Sequence, residues 1–380
     1  MRITKIAYIT ETAPGDKHAW SGTVHYVYKA LREAGFNVIA LGPGRPVFIR
    51  YLLAVLNKIS LFYFRKRFDY RHSKIYSRAF GRLFSNKLKQ VDYDCIVLCG
   101  STEIGAYLKA DKPVYYILDR TIEGAINYHT ILSNLWKFSE RQSIYTDKKA
   151  MLSSTKVFFS SQWAADHAKQ KYQIPERKIR VIPFGANLDK VPDRATALKE
   201  KTKKEWKLLL IGTYWLNKGA DIAYNTLLIL LQNNVNVSLT VVGCTPPEDL
   251  KHKNLTIIPF VDKNSVEGLK TLWDLFLSHH FFILPTRFDC TPIVFCEASS
   301  FGLPILSSHT GGVEGHIKEG VNGFLISHED SGAAYAQKIS EIINKPGVYE
   351  QLCLSSRDFY ESQLNWAHWT SEFSKEIKAN

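Results

Sequence analysis

Short runs of β-branched and aromatic residues recur twelve times along this chain, with helical spacing between them. In the first half the runs are Lys5–Thr10, Asn37–Gly42, Asp94–Cys99, Val114–Asp119, Lys156–Ser161 and Arg180–Gly185. In the second half they are Lys207–Thr213, Ser238–Gly243, Leu255–Phe260, His279–Thr286, Leu303–Ser308 and Gly323–Ile326. Most are apolar on both alternating faces, so each strand needs cover on two sides. Parallel sheets between helix layers provide that cover. The alternation predicts an α/β protein with doubly wound parallel sheets. A chain of 380 residues accommodates two such domains. The break is expected between Ala186 and Trp206, a charged segment with Pro192 and no apolar run, giving domains over 1–190 and 191–361. Ligands of such sheets sit at the carboxyl ends of the strands, and two facing domains would collect their loops in one central cleft.

The hydrophobic fraction of 45% and charged fraction of 22% are those of an ordinary soluble globular protein. The six cysteines show no Cys-x-x-Cys and no metal or disulfide spacing. The opening Met1–Thr10 reads as a strand, without the apolar core of a leader. A reducing cytoplasm is therefore the expected location. The net charge of +13 is concentrated: between Arg45 and Gln90 there are twelve Lys or Arg and one acid, Asp69. The rest of the chain is nearly neutral, so the charge is a local device.

Three loops suit a phosphorylated, polyhydroxylated ligand. After the first strand, Trp20-Ser-Gly-Thr23 precedes a helical pattern through Val24, Val27, Tyr28 and Leu31. Gly22 and Thr23 there open a helix whose N–H groups can face an anion or a hydroxyl, or they form an ordinary strand-to-helix loop. Leu208–Gly219 repeats the arrangement, with Thr213 in the loop and Lys218 beside a helix start, where a cation can neutralise a diphosphate leaving group. The most informative block is Asp289-Cys-Thr-Pro-Ile-Val-Phe-Cys-Glu297. Thr291-Pro292 reads as an N-cap with proline in the first helical turn, leaving Asp289 to Ile293 with free N–H groups. Asp289 on the loop and Glu297 a turn into the helix can grip separate hydroxyl pairs. Farther on, Gly311 and Gly312 lie in another strand-end loop, bordering the ligand or merely punctuating a turn.

At these residues the chain resembles the family 4 retaining glycosyltransferases of the GT-B fold. Asp289 to Glu297 resembles their Glu-x7-Glu signature, Lys218-Gly219 their Lys-Gly loop, and Trp20–Thr23 their N-terminal Gly-rich loop. Phe158–Trp163 and Val181–Asn187 also match, and only Arg45–Gln90 lacks a counterpart. The resemblance implies two Rossmann-like domains, with the final segment 362–380 returning to the N-terminal one. It implies a hexosyl-transferring enzyme without a metal or other cofactor, using a nucleotide-diphosphate sugar (UDP or GDP) as co-substrate. Glu297 would bind the ribose, and Asp289 with the N–H groups near Thr291 and Ile293 the transferred sugar. Lys218 would bind the diphosphate, Val261 would meet the base, and Gly22 and Thr23 would lie near the diphosphate and acceptor. There are departures. The first acid is Asp289 instead of Glu, and the usual diphosphate Arg is missing, with Thr213 after Gly212. Either Lys218 acts alone or Arg287 supplies a second cation. The histidine that many relatives place near the sugar has no clear equivalent; Asp119 occupies a comparable place, with His25 and His129 as the other candidates.

Within Arg45–Gln90, Tyr51–Phe64 is an apolar stretch of 14 residues, shorter than the roughly 20 a bilayer span needs. It has two readings: an amphipathic segment in anionic headgroups, serving a lipid-linked acceptor, or a hairpin packed on its own domain. No recognition motif supports nucleic-acid binding. The expectation is thus a glycosyltransferase of cell-surface polysaccharide or lipopolysaccharide assembly, with a saccharide or lipid-linked acceptor, cytoplasmic or peripheral on the inner face of the membrane. The alternatives are a sugar-nucleotide epimerase or a phosphorylase on the same fold, or a basic membrane- or polyanion-binding protein with a degenerate donor site.

Overall fold

A computed structural model describes residues 4–128, 130–247 and 250–378 of the chain. The twelve apolar runs form twelve strands in two six-stranded, wholly parallel sheets. The first sheet holds β1 (Lys5–Ile9), β2 (Asn37–Ala40), β3 (Cys95–Cys99), β4 (Val114–Leu118), β5 (Lys156–Phe159) and β6 (Ile179–Val181). The second holds β7 (Trp206–Ile211), β8 (Val237–Val242), β9 (Leu255–Ile258), β10 (Phe281–Leu284), β11 (Ile305–Ser308) and β12 (Gly323–Ile326). The central strands β3, β5, β10 and β11 are buried at every residue, as expected for strands covered on both faces.

The chain divides into two compact units, Met1–Ile182 with Thr370–Asn380, and Pro183–Trp369. The change of unit therefore falls before the break expected at 190/191. Local packing explains the shift. The ring of Phe184 stacks on Trp366 at 5.7 Å, and the Ala186 N–H donates to the Leu364 carbonyl. A Cβ on Gly185 would lie 2.4 Å from the Trp366 nitrogen. The returning segment is correspondingly shorter than 362–380. Residues 362–369 stay with the second unit, while Phe373 packs on Phe158 and Tyr115 of the first. Lys156 Nζ bonds the Glu376 carboxylate there at 2.8 Å.

Strand order sets where each unit can build a site. In the first unit it is β2-β1-β3-β4-β5-β6, reversing direction between β1 and β3. In the second it is β12-β11-β10-β7-β8-β9, reversing between β7 and β10. Ligands of open α/β sheets bind beyond the carboxyl ends of the strands at such reversals.

The basic stretch splits in two. The helix Lys74–Leu88 buries Tyr76, Phe80, Phe84 and Leu88 in the core of the first unit, so this half packs on its own domain. The helix Val47–Phe64 buries only Leu53. At 18 residues it is longer than the apolar stretch read from sequence, and it is long and apolar enough to cross a membrane by length and composition.

Candidate functional site

In the second unit the loops leaving β7 and β10 interlock. Gly219 has φ 68°, and a Cβ there would fall 1.9 Å from the Pro285 carbonyl oxygen. Only glycine permits that approach. Thr286 Oγ and the Arg287 N–H both donate to the Asn217 carbonyl, at 3.1 and 2.8 Å. With its backbone fixed this way, Lys218 Nζ reaches Asp289 Oδ2 at 2.5 Å, both side chains being mostly buried. The two residues singled out from separate motifs thus meet at the reversal of the sheet.

Asp289 is itself held on several sides. Its Oδ1 accepts from the Thr291 N–H at 3.2 Å, and its carbonyl accepts from the Gly312 N–H at 3.1 Å. The second contact brings the Gly311-Gly312 loop to the site, with Gly311 at φ 54°. Close to Asp289 lies the fully buried His316. Burial pushes its pKa down to about 4, so it is neutral at pH 7.

The helix after β10 begins at Ile293, one residue later than the Thr-Pro reading implies. Pro292 takes the N-cap position, and the Thr291 hydroxyl donates to the Cys290 carbonyl instead of capping. The N–H groups of Thr291 and Ile293 are not free, since they donate to Asp289 Oδ1 and to the Thr291 carbonyl. Glu297 is 1% exposed on this helix, and its two carboxylate oxygens accept from Lys263 Nζ at 3.0 and 3.2 Å. Lys263 follows Val261 on the loop after β9. It was not singled out in the sequence, because its partner lies 34 residues farther on.

Val261 is partly buried against the core, beside the exposed ring of Phe260. Thr213 is exposed at the exit of β7. Arg287 does not stand as an uncommitted second cation. Its guanidinium makes a bidentate pair with Asp221 at 2.8 and 2.7 Å and also bonds the Leu216 carbonyl. It braces the loop that carries Lys218. Among the described residues no group of three or more His, Cys, Asp or Glu is gathered as a metal site would require.

In the first unit, Trp20, Ser21 and Gly22 take successive left-handed conformations with φ 50°, 55° and 89°. The turn starts the helix Thr23–Glu33 with Thr23 buried, and aims Trp20 Nε1 at Asp119 Oδ2, 2.8 Å away. Asp119 follows β4, so the two sequence candidates on this side, the Gly22-Thr23 turn and Asp119, are joined through Trp20. His25 is tied to the Pro14 carbonyl at 3.0 Å. His129 lies outside the described residues. Beyond β1 and β3 sits a charge cluster that the sequence reading missed. Glu11 pairs with Arg71 and, at 3.1 Å, with Arg45, and the buried Glu103 stands close by. Burial, reinforced by Glu11, raises the Glu103 carboxyl above its ordinary range.

Residues 22–190 match the family described as Glycosyltransferase Family 4, and residues 205–345 match Glycosyl transferases group 1. The chain belongs to the family 4 glycosyltransferases. Both units have the Rossmann-like sheets of the GT-B fold. Sucrose-phosphate synthase from Thermosynechococcus elongatus superposes with a TM-score of 0.68 and 17% identity, covering 99% of each chain. HepE from Anabaena, solved in complex with UDP-glucose, gives 0.63 and 14%, covering all of both chains. In sequence, the chain is 26% identical over 172 residues to the Escherichia coli UDP-Gal:alpha-D-GlcNAc-diphosphoundecaprenol alpha-1,3-galactosyltransferase. That match covers 43% of this chain and 44% of the relative. The chain spans about half the length of the curated relatives it matches.

Proposed function

We propose that this family 4 glycosyltransferase moves a hexosyl group from a UDP- or GDP-sugar to a saccharide or lipid-linked acceptor. The reaction would retain anomeric configuration, need no metal, and serve cell-surface polysaccharide or lipopolysaccharide assembly on the cytoplasmic side. The observation that carries this reading is the Lys218–Asp289 pair across the β7/β10 reversal, with Glu297, paired to Lys263, on the helix that follows. Each acid is held by a lysine. A diphosphate arriving at Lys218 replaces Asp289 as its counter-ion and leaves that carboxylate to accept from sugar hydroxyls. Ribose hydroxyls meet Glu297 in the same way, with Lys263 moving aside toward solvent.

The step itself is a substitution at the anomeric carbon. Its bond to the diphosphate oxygen breaks, a bond to the acceptor oxygen forms on the same face, and a donor phosphate oxygen takes the acceptor's proton. Lys218 stabilises the charge gathering on the departing diphosphate. The neighbour solved with UDP-glucose supports the donor class. The relative whose name contains a UDP-sugar and a diphosphoundecaprenol-linked sugar supports the acceptor class.

The test is a screen of UDP- and GDP-sugars with saccharide and polyprenyl-diphosphate-linked acceptors, reading nucleoside diphosphate release and the product's anomeric coupling by NMR. Release that depends on acceptor, with the donor's configuration kept, is expected. Inverted product removes the retaining mechanism. Interconversion of the donor without acceptor would make the chain an epimerase, and a requirement for inorganic phosphate would make it a phosphorylase.

A further inference from the structure

The helix Val47–Phe64 carries none of the residues placed in the donor site, and its outward face is unlike that of a soluble protein. Phe48, Tyr51, Leu52, Ile59, Phe62 and Tyr63 are all exposed, Phe48 at 82% and Phe62 at 73%. At 3.6 residues per turn these six fall within an arc of about 120°, and no charged residue lies inside that arc. Lys58 borders it, and Arg65-Lys-Arg67 follows at the helix end. Exposed apolar patches of this kind mark interaction sites.

The opposite stripe ties the helix down. Leu53 enters the core with Ile49 packed beside it. Asn57 Oδ1 accepts from the Phe68 N–H at 2.8 Å. Ser60 Oγ accepts from Trp136 Nε1 and donates to the Lys66 carbonyl, each at 2.8 Å. A helix crossing the bilayer would draw these polar partners into hydrocarbon, so the packing favours a helix lying flat. Aromatic rings extend the surface beyond the helix. Phe64 meets Trp136 at 5.7 Å, Trp136 stacks on the half-exposed Phe138, and Lys66 sits over the Trp136 ring at 5.0 Å. Aromatics beside lysine and arginine are the usual furniture of the headgroup level.

We infer that Val47–Phe64 is an in-plane membrane anchor that docks the first unit on an anionic bilayer. Its outward face would enter the acyl boundary, and Lys58 and Arg65–Arg67 would meet lipid phosphates. Charge decides between a bilayer and a second copy of the chain. Arg45–Gln90 carries twelve basic residues and one acid, so a second copy would bring the same positive surface. The inference stands on this surface alone and uses no feature of the donor site.

Flotation of the full chain with phosphatidylcholine vesicles, with and without phosphatidylglycerol, tests it. Wild type is expected to float with the anionic vesicles and to be released by alkaline carbonate. F48D/I59D/F62D is expected to lose more than tenfold in vesicle partition while keeping its melting temperature. R65Q/K66Q/R67Q is expected to lose roughly a hundredfold on anionic vesicles only. Wild type left in the soluble fraction at low salt overturns the inference, as does a triple-Asp variant that floats like wild type. Resistance to carbonate would instead indicate a spanning helix. A dimer abolished by the triple-Asp change, without vesicle binding, would assign the face to a second copy. Stabilisation by nucleotide sugars, measured on the same proteins, keeps this outcome separate from that of the donor site.

Discussion

The two units share one plan of parallel strands and covering helices, yet they treat charge at the sheet reversal in opposite ways. The second unit sets one lysine against each acid of its site, Lys218 against Asp289 and Lys263 against the buried Glu297. The first unit holds its buried acids in several contacts each. Glu11 is shared by two arginines, His72 pairs with Asp69 at 2.7 Å, and Asp147 accepts from Thr102 and from the Ile122 N–H. The second unit's own buried histidines, His279, His280 and His316, are by contrast neutral. Two-partner buried networks resist exchange, because breaking one contact strands another charge. A one-to-one pair strands only one group when a ligand takes its partner's place. The difference supports the proposal that an ionic ligand is taken up by the second unit.

The comparison can be broken at several points. The largest effect is expected at Lys218. Lys218→Ala should lower the rate of transfer by roughly 10²–10³-fold, the cost of one transition-state charge contact, with the fold intact by circular dichroism. A change of less than a few-fold would mean that the β7 loop does not meet the diphosphate. Next comes Gly219→Ala. It sets a side chain against the Pro285 carbonyl in a left-handed conformation, and should cost about 2–4 kcal/mol in denaturant unfolding of the second unit. Leu53→Ala probes the scaffold side and should cost about 2–3 kcal/mol, the low end for a buried leucine because the rest of its helix is solvated.

Histidine titration by NMR sharpens the contrast. Burial pushes His279, His280 and His316 down to about 4. For His72 burial acts the same way, but the Asp69 carboxylate outweighs it and the pKa rises. The signs therefore differ. The three neutral histidines contribute stability that is complete above about pH 6.5 and is lost as pH falls toward 4, at up to about 1.4 kcal/mol per pH unit each. His72 contributes below about pH 6.5 and loses its contribution as pH rises through its folded value. Four histidines titrating together near 6.5 would dissolve the distinction. The smallest effect is expected for Arg287→Ala, about 1 kcal/mol for a half-exposed bidentate pair, with looser donor binding through the loop it braces.

Much of this was legible in the sequence for identifiable reasons. Most strands announced themselves because parallel strands are apolar on both faces, and all twelve runs became strands. Asp289 to Glu297 was legible because both acids lie in one loop-and-helix segment. The Lys263 contact to Glu297 and the Arg71 contact to Glu11 were not, because parallel crossovers bring together side chains 34 and 60 residues apart. Thr291 was misread as a cap because the register of a helix start depends on its proline, and Pro292 took that position. The basic stretch looked uniform, yet only the structure separates Lys74–Leu88, which fills the core, from Val47–Phe64, which stays outside it.

The central claim, that the second unit binds a nucleotide-diphosphate sugar through Glu297 and its neighbours, is tested most directly by thermal shift. UDP-, GDP- and ADP-sugars are titrated against wild type and Glu297→Ala. One nucleotide family should raise the wild-type melting temperature, and Glu297→Ala should lose most of that rise. Equal stabilisation of both proteins, or none of either by any nucleotide sugar, would contradict it.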